Sequence, residues 1–193
     1  MKAILIALAL LLSVLYVLPR FAPSSGLRNT DADESASIPS GATPEVLADI
    51  HAYQYTQTYV NSAFRFSFRH PRGFTVTTAP SAGGEDGGTV LLIESGDKKV
   101  GVQIVISPYG ADADITAVLV RADLPNIRVD DPQTVEVGPD RLGLAFMSDN
   151  GAFGGRSREV WFVFNGNLYQ ISTYAEFDEF LKGLFGTWQF TRQ

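Results

Sequence analysis

Few side chains in this sequence have the chemistry of a reaction centre, and several of them fall together. Arg65, Arg69 and Arg72 surround His70 in the stretch Phe64–Phe74. On a strand, Arg65 and Arg69 share one face, and with Arg72 and His70 they form a candidate basic stripe suited to a carboxylate or a phosphate. The competing reading is an exposed sheet face whose cations pair with acids on neighbouring strands, an arrangement worth little energetically. A general base needs an acid or nucleophile within reach, and none adjoins His70 in the sequence. Its place between Arg69 and Pro71 predicts a turn or surface histidine, and His51, the other histidine, is read the same way.

The remaining chemistry is largely a matter of exclusion. The sequence has no Cys, which rules out disulfides, Cys-ligated zinc or iron–sulfur, and thiol catalysis. It contains no G-x-S-x-G, P-loop, dinucleotide fingerprint or H-E-x-x-H. Gly83–Gly88 lacks the Lys-Ser/Thr that would hold phosphate and magnesium, so it is read as a loop. Asp112-Ala113-Asp114 resembles half of a calcium loop without its turn glycine or its bidentate Glu, and Asp130-Asp131 is read as a loop pair before Pro132. No metal or other cofactor is expected. Tyr53, Tyr55 and Tyr59 share parity and are read as a packed strand face, the alternative being a stacking surface for sugar or peptide. Trp161 and Trp188 fall in apolar runs as core anchors.

The elements that would position these groups follow from periodicity. Thr43-Pro44-Glu45 starts a short helix over 43–54, with a hydroxyl cap and Pro at the first helical position. Phe64, Phe66 and Phe68 alternate with polar residues, a half-buried strand with Phe on the core side. Pro71-Arg72-Gly73 turns the chain into a strand at Phe74–Thr78. Thr89–Glu94 and Val100–Ser107 form an antiparallel hairpin. Ile115, Val118, Leu119 and Ala122 repeat as one helix face, ended by Pro125 and capped by Asp114 or Thr116. Strands follow at Thr134–Val137 and Leu142–Ser148. Arg158–Phe164 and Asn167–Tyr174 are joined by Asn165-Gly166, the strongest hairpin signal in the chain. Phe177, Phe180, Leu181, Leu184 and Phe185 make a closing amphipathic helix with acids at its start, and Thr187–Phe190 returns as a short strand. Hairpins dominate, so the fold class is α+β, an antiparallel β-sheet flanked by helices.

The N-terminus is of another kind. Lys2 precedes the apolar run Ala3–Leu18, which includes Ala3, Ile4, Leu5, Leu10, Leu12, Leu15 and Leu18 and is followed by Pro19-Arg20. Its 16 residues reach about 24 Å as a helix, short of a hydrocarbon core of about 30 Å. Residues 1–22 are therefore expected to be a signal peptide or signal anchor. Residues 23–42, rich in Ser, Ala, Asp and Pro, are expected to be a disordered linker, and 55–193 a single α+β domain. The sequence holds 15 basic against 21 acidic residues, a net charge of −6, and the excess grows once Lys2 and Arg20 are set aside. That balance disfavours nucleic acid as a partner. The expected location is the cell membrane with the domain on the extracytoplasmic side, or secretion if the segment is cleaved.

The stretch Phe64-Arg-Phe-Ser-Phe-Arg-His-Pro-Arg-Gly-Phe74 resembles the strand–P-x-G-aromatic opening of PsbP-like domains, the family of the photosystem II extrinsic protein. The amphipathic helix with Thr187-Trp-Gln-Phe190 is similar to the end of that domain, and the resemblance spans Tyr55–Arg192. It implies a curved antiparallel sheet sandwiched by helices, in exported or membrane-attached proteins with binding and assembly roles. It transfers no catalytic or metal-ligating residue, and the N-terminus looks like a bacterial export signal rather than a transit segment. The expected function is a non-catalytic envelope binding or assembly module, tethered by its N-terminal segment, with a protein partner at the Arg65–Arg69 face or a cleft beside a helix. The alternatives are a carboxylate-based envelope hydrolase, needing two converging acids, and a small-molecule carrier, needing an apolar pocket between sheet and helix.

Overall fold

A computed structural model describes residues 52–80, 88–97, 101–110, 113–150, 153 and 156–191. The apolar run, the linker and all but the last three residues of the expected 43–54 helix lie outside them, and Ala52–Gln54 are not helical. Among the described residues no helix is long and apolar enough to cross a membrane.

The chain runs through strands β1 (Tyr55–Asn61), β2 (Phe66–Pro71), β3 (Phe74–Pro80), β4 (Thr89–Ser95) and β5 (Gly101–Pro108) before helix α1 (Ala117–Asp123). Strands β6 (Asp130–Val137), β7 (Arg141–Ser148), β8 (Ser157–Phe164) and β9 (Asn167–Tyr174) follow. A single helical turn at Ala175–Phe177 leads into α2 (Asp178–Gly186), and β10 (Gln189–Phe190) closes the fold. Every strand pairing is antiparallel.

The strands make two sheets, where the sequence suggests one. β1-β2-β10 form a three-stranded sheet, and β3-β4-β5-β9-β8-β7-β6 a seven-stranded one. The division falls at Arg72-Gly73. β2 spends its hydrogen bonds on β1 and β10, and the left-handed Gly73 (φ +88°) turns the chain into the second sheet. Only glycine adopts that conformation without cost. The main core lies between the sheets and is closed by α2. Phe66 stacks on Trp188 at 4.8 Å and meets Tyr169 edge-on at 5.8 Å, and Phe162 stacks on Tyr169 at 4.7 Å. All five apolar positions of the closing helix stripe are buried. The β8–β9 turn has Asn165 and Gly166 at φ +50° and +72°, the left-handed pair a tight hairpin demands.

α1 departs from the expected face. Thr116 caps it, accepting from Leu119 N at 3.2 Å, so Ile115 precedes the helix and its spacing no longer marks a helical face. Val120 and Leu124 pack with Phe146 and Trp161 on the far side of the large sheet, while Val118 is 77% exposed and Ala122 lies outward. Asp130-Asp131 opens β6 rather than forming a loop. A bulge between Asp130 and Gln133, with Asp131 at φ +46°, accommodates Pro132 on this edge strand.

Candidate functional site

The structure takes His70 out of the basic stripe. Arg65 sits in the β1–β2 turn at φ +57°. Arg69 lies on the exposed face of the small sheet opposite Thr58, its backbone N–H donating to Thr187 Oγ1 at 2.9 Å. Arg72 is exposed in the turn after β2. His70 is only 9% exposed, shares the inward parity of Phe66 and Phe68, and has Nδ1 3.1 Å from the Pro71 carbonyl. It is a buried histidine at the core rim, not the surface residue its neighbours suggest.

The tyrosines pack. Tyr55 donates its hydroxyl to the Phe180 carbonyl at 3.0 Å, and burial pushes its pKa up to about 12. Tyr53 meets Phe74 edge-on at 5.2 Å, and Tyr59 lies 5.2 Å from Phe68. Tyr55 also explains Gly183 within α2: a Cβ there would overlap the phenol ring.

A groove of about 700 Å³ opens where α2, the end of β6, β8 and β10 converge. Val135, Val160, Leu181 and Phe185 supply apolar wall. Arg158 belongs to the inward parity of β8, with Val160, Phe162 and Phe164, and its side chain is only 8% exposed. A buried guanidinium is costly unless paired. Asp178, at the start of α2, takes Arg158 Nε on Oδ1 at 2.9 Å and Lys182 Nζ on Oδ2 at 3.1 Å. Lys182 is also held by Glu179, and these carboxylates raise its pKa. Trp188 lines the same groove, is 1% exposed, and its indole N–H has no hydrogen-bond partner. The groove thus combines apolar wall, an ion cluster and an unmatched buried donor.

A second buried polar cluster lies on the opposite face of the large sheet. Glu159 receives the Ser157 and Ser172 hydroxyls at 2.6 Å each and the Trp161 indole N–H at 3.4 Å. Asn150 adds a further hydrogen bond. Burial pushes this carboxyl above its ordinary range, against the downward pull of these donors.

Among the described residues no three metal-ligating side chains converge, and Asp114 is an exposed residue before α1. Sequence reasoning missed Arg158, Asp178 and Lys182. The available signal was parity: Arg158 occupies a core-facing position in an otherwise apolar strand. Its partner lies 20 residues away, where local periodicity has no reach.

The fold is of the antiparallel α+β class, with two sheets enclosing one core. Solved structures similar to it include the solution structure of cyanobacterial PsbP (CyanoP) from Synechocystis sp. PCC 6803, at 11% identity and a TM-score of 0.44, covering 70% of this chain and 92% of that one. A crystal structure from Bacteroides thetaiotaomicron VPI-5482 is similar at 14% identity and a TM-score of 0.44, covering 72% of this chain and 50% of that one. No family model matches the sequence, and no curated protein matches it.

Proposed function

We propose that this chain is a non-catalytic binding module of the cell envelope, held at the membrane or exported by its N-terminal apolar segment, with the α2 groove as its binding site. The observation that carries this reading is the groove itself. Its volume of about 700 Å³ falls within the roughly 300–1,000 Å³ usual for ligand sites, and it has the usual mixture of apolar wall and a few polar groups. A recess between sheet and helix is what a small-molecule carrier needs, so a small ligand is favoured over the protein contact suggested by Arg65 and Arg69. The hydrolase reading has less support. Asp178 is committed to Arg158 and Lys182, and Glu159 is enclosed by its own donors on the other face of the sheet.

Gly186 gives the test. It lines the groove, and a Cβ added there meets nothing within 4 Å. Gly186→Phe therefore adds a ring to the wall of the recess at a position with room for its Cβ. The full chain in lipid nanodiscs is screened against a library of small metabolites by thermal shift. The expected result is stabilising ligands whose effect disappears in Gly186→Phe while the unfolding transition is retained. Ligands that stabilise both proteins equally would place binding elsewhere. A reporter enzyme active only after export, fused to the C-terminus, should be active when the native N-terminus is present and inactive when residues 1–22 are deleted.

A further inference from the structure

We infer that the occupant of the α2 groove is a monocarboxylate with an apolar body, its carboxylate received by Arg158 and Trp188. The inference rests on the groove being the binding site and names the chemistry it selects. Two donors set that chemistry. The Arg158 guanidinium spends Nε on Asp178, and its terminal nitrogens have no hydrogen bond to any described residue. The Trp188 indole N–H is buried with no partner at all. The Trp188 N–H, enclosed without an acceptor, is destabilising as it stands, a cost that an incoming acceptor removes, while the Arg158 terminal nitrogens are not enclosed and remain open to the same ligand.

The lining also contains acids, and they limit the choice. Asp178 and Glu136 balance Arg158 and Lys182, so the lining carries no net positive charge. Lys182 is already shared between Asp178 and Glu179. One free guanidinium edge and one N–H suit a planar monoanion, which the fork of terminal N–H groups meets in two parallel hydrogen bonds. A doubly charged phosphate would set a second negative charge beside the Asp178 and Glu136 carboxylates with no further cation to offset it. The apolar body follows from the walls, where Leu181 and Phe185 offer hydrocarbon rather than hydrogen bonds.

The test uses the full chain in nanodiscs and the probes phenylpropionate and phenylpropionamide, which share one apolar body. The chain has two tryptophans, so its NMR spectrum has two indole N–H signals, assigned by Trp161→Phe. Phenylpropionate should move the Trp188 signal downfield, as a new hydrogen bond requires, and leave the Trp161 signal in place. It should bind at least about tenfold more tightly than the amide, the margin of a charge-assisted pair over a neutral one. Trp188→Phe keeps an aromatic ring and deletes the donor, and should weaken binding about threefold or more, measured well below its unfolding transition because the smaller ring also gives up core packing. Arg158→Gln should abolish the preference for the acid. Should that variant fail to fold after stripping Asp178 of its partner, the Trp188 signal and Trp188→Phe decide the matter. Equal affinity for acid and amide, or an unmoved Trp188 signal, would overturn the carboxylate assignment. If other small molecules still bind and Gly186→Phe still blocks them, the groove stands and only its chemistry changes. A free peptide C-terminus binding more tightly than phenylpropionate would transfer the site to a polypeptide and also overturn the inference.

Discussion

Replacing Glu159 by Gln should change how stability depends on pH, and the structure fixes the sign. The carboxyl is 4% exposed on β8. Ser157 on its own strand and Ser172 on β9 donate hydroxyls to it, Trp161 and Asn150 add N–H groups, and its neighbour across on β7 is Phe146. None of these groups is a cation. Removing a carboxylate from water costs several kcal/mol even after relaxation, whereas each hydrogen bond to a charged group returns about 1.5–3 kcal/mol. With burial the larger influence, the native carboxyl holds its proton more tightly than the unfolded one, whose ordinary value is 4.5. The stability contributed by that proton is fully present below the unfolded value and is lost as pH rises through the native one. The steepest loss for one proton is about 1.4 kcal/mol per pH unit. Gln has no such titration. Its amide faces donors and so carries a fixed penalty, but that penalty does not vary with pH. Urea denaturation of both proteins between about pH 4 and pH 8 should therefore show Glu159→Gln gaining on the wild type as pH rises, then running parallel to it. A gap that is constant, or that widens against the variant with rising pH, would mean that the four donors outweigh desolvation, and would refute the reasoning.

Four further substitutions probe the frame. Gly138→Ala puts a Cβ 2.5 Å from the Trp188 carbonyl at a residue with φ +63°, adding overlap with backbone to a left-handed penalty of about 1–2 kcal/mol; a lowered Tm is expected, together with a disturbed groove. Gly183→Ala gains about 1 kcal/mol of helix propensity but displaces the Tyr55 ring, so net destabilisation and loss of the Tyr55–Phe180 hydrogen bond are expected by denaturant titration and NMR. Thr116→Ala removes the α1 cap and should cost about 1 kcal/mol, whereas Val118→Lys, on the exposed side of the same helix, should change stability by less than about 0.5 kcal/mol.

How much could be read before the fold was known depended on the range of the interaction. Asn165-Gly166 announces its hairpin because two consecutive left-handed residues leave the chain little else to do. The α2 stripe from Phe177 to Phe185 is visible because helical periodicity and burial coincide. The α1 stripe misleads because Ile115 lies before the cap and a seven-residue helix is short enough for Trp161 and Phe146 to decide which side it buries. His70 was obscured by its charged neighbours, although parity with Phe66 and Phe68 points it inward. The division into two sheets, and the meeting of Arg158, Asp178 and Trp188, depend on pairings between distant segments that no local pattern encodes.

The central claim, that the domain holds a ligand in the α2 groove, is tested most directly by what the protein carries with it out of the cell. Full-length wild type and Gly186→Phe are to be extracted gently from native cells, and the small molecules released on denaturation compared by mass spectrometry. The account predicts a stoichiometric organic acid with the wild type and its absence from the plugged variant. The same molecules in equal amounts with both proteins would contradict it.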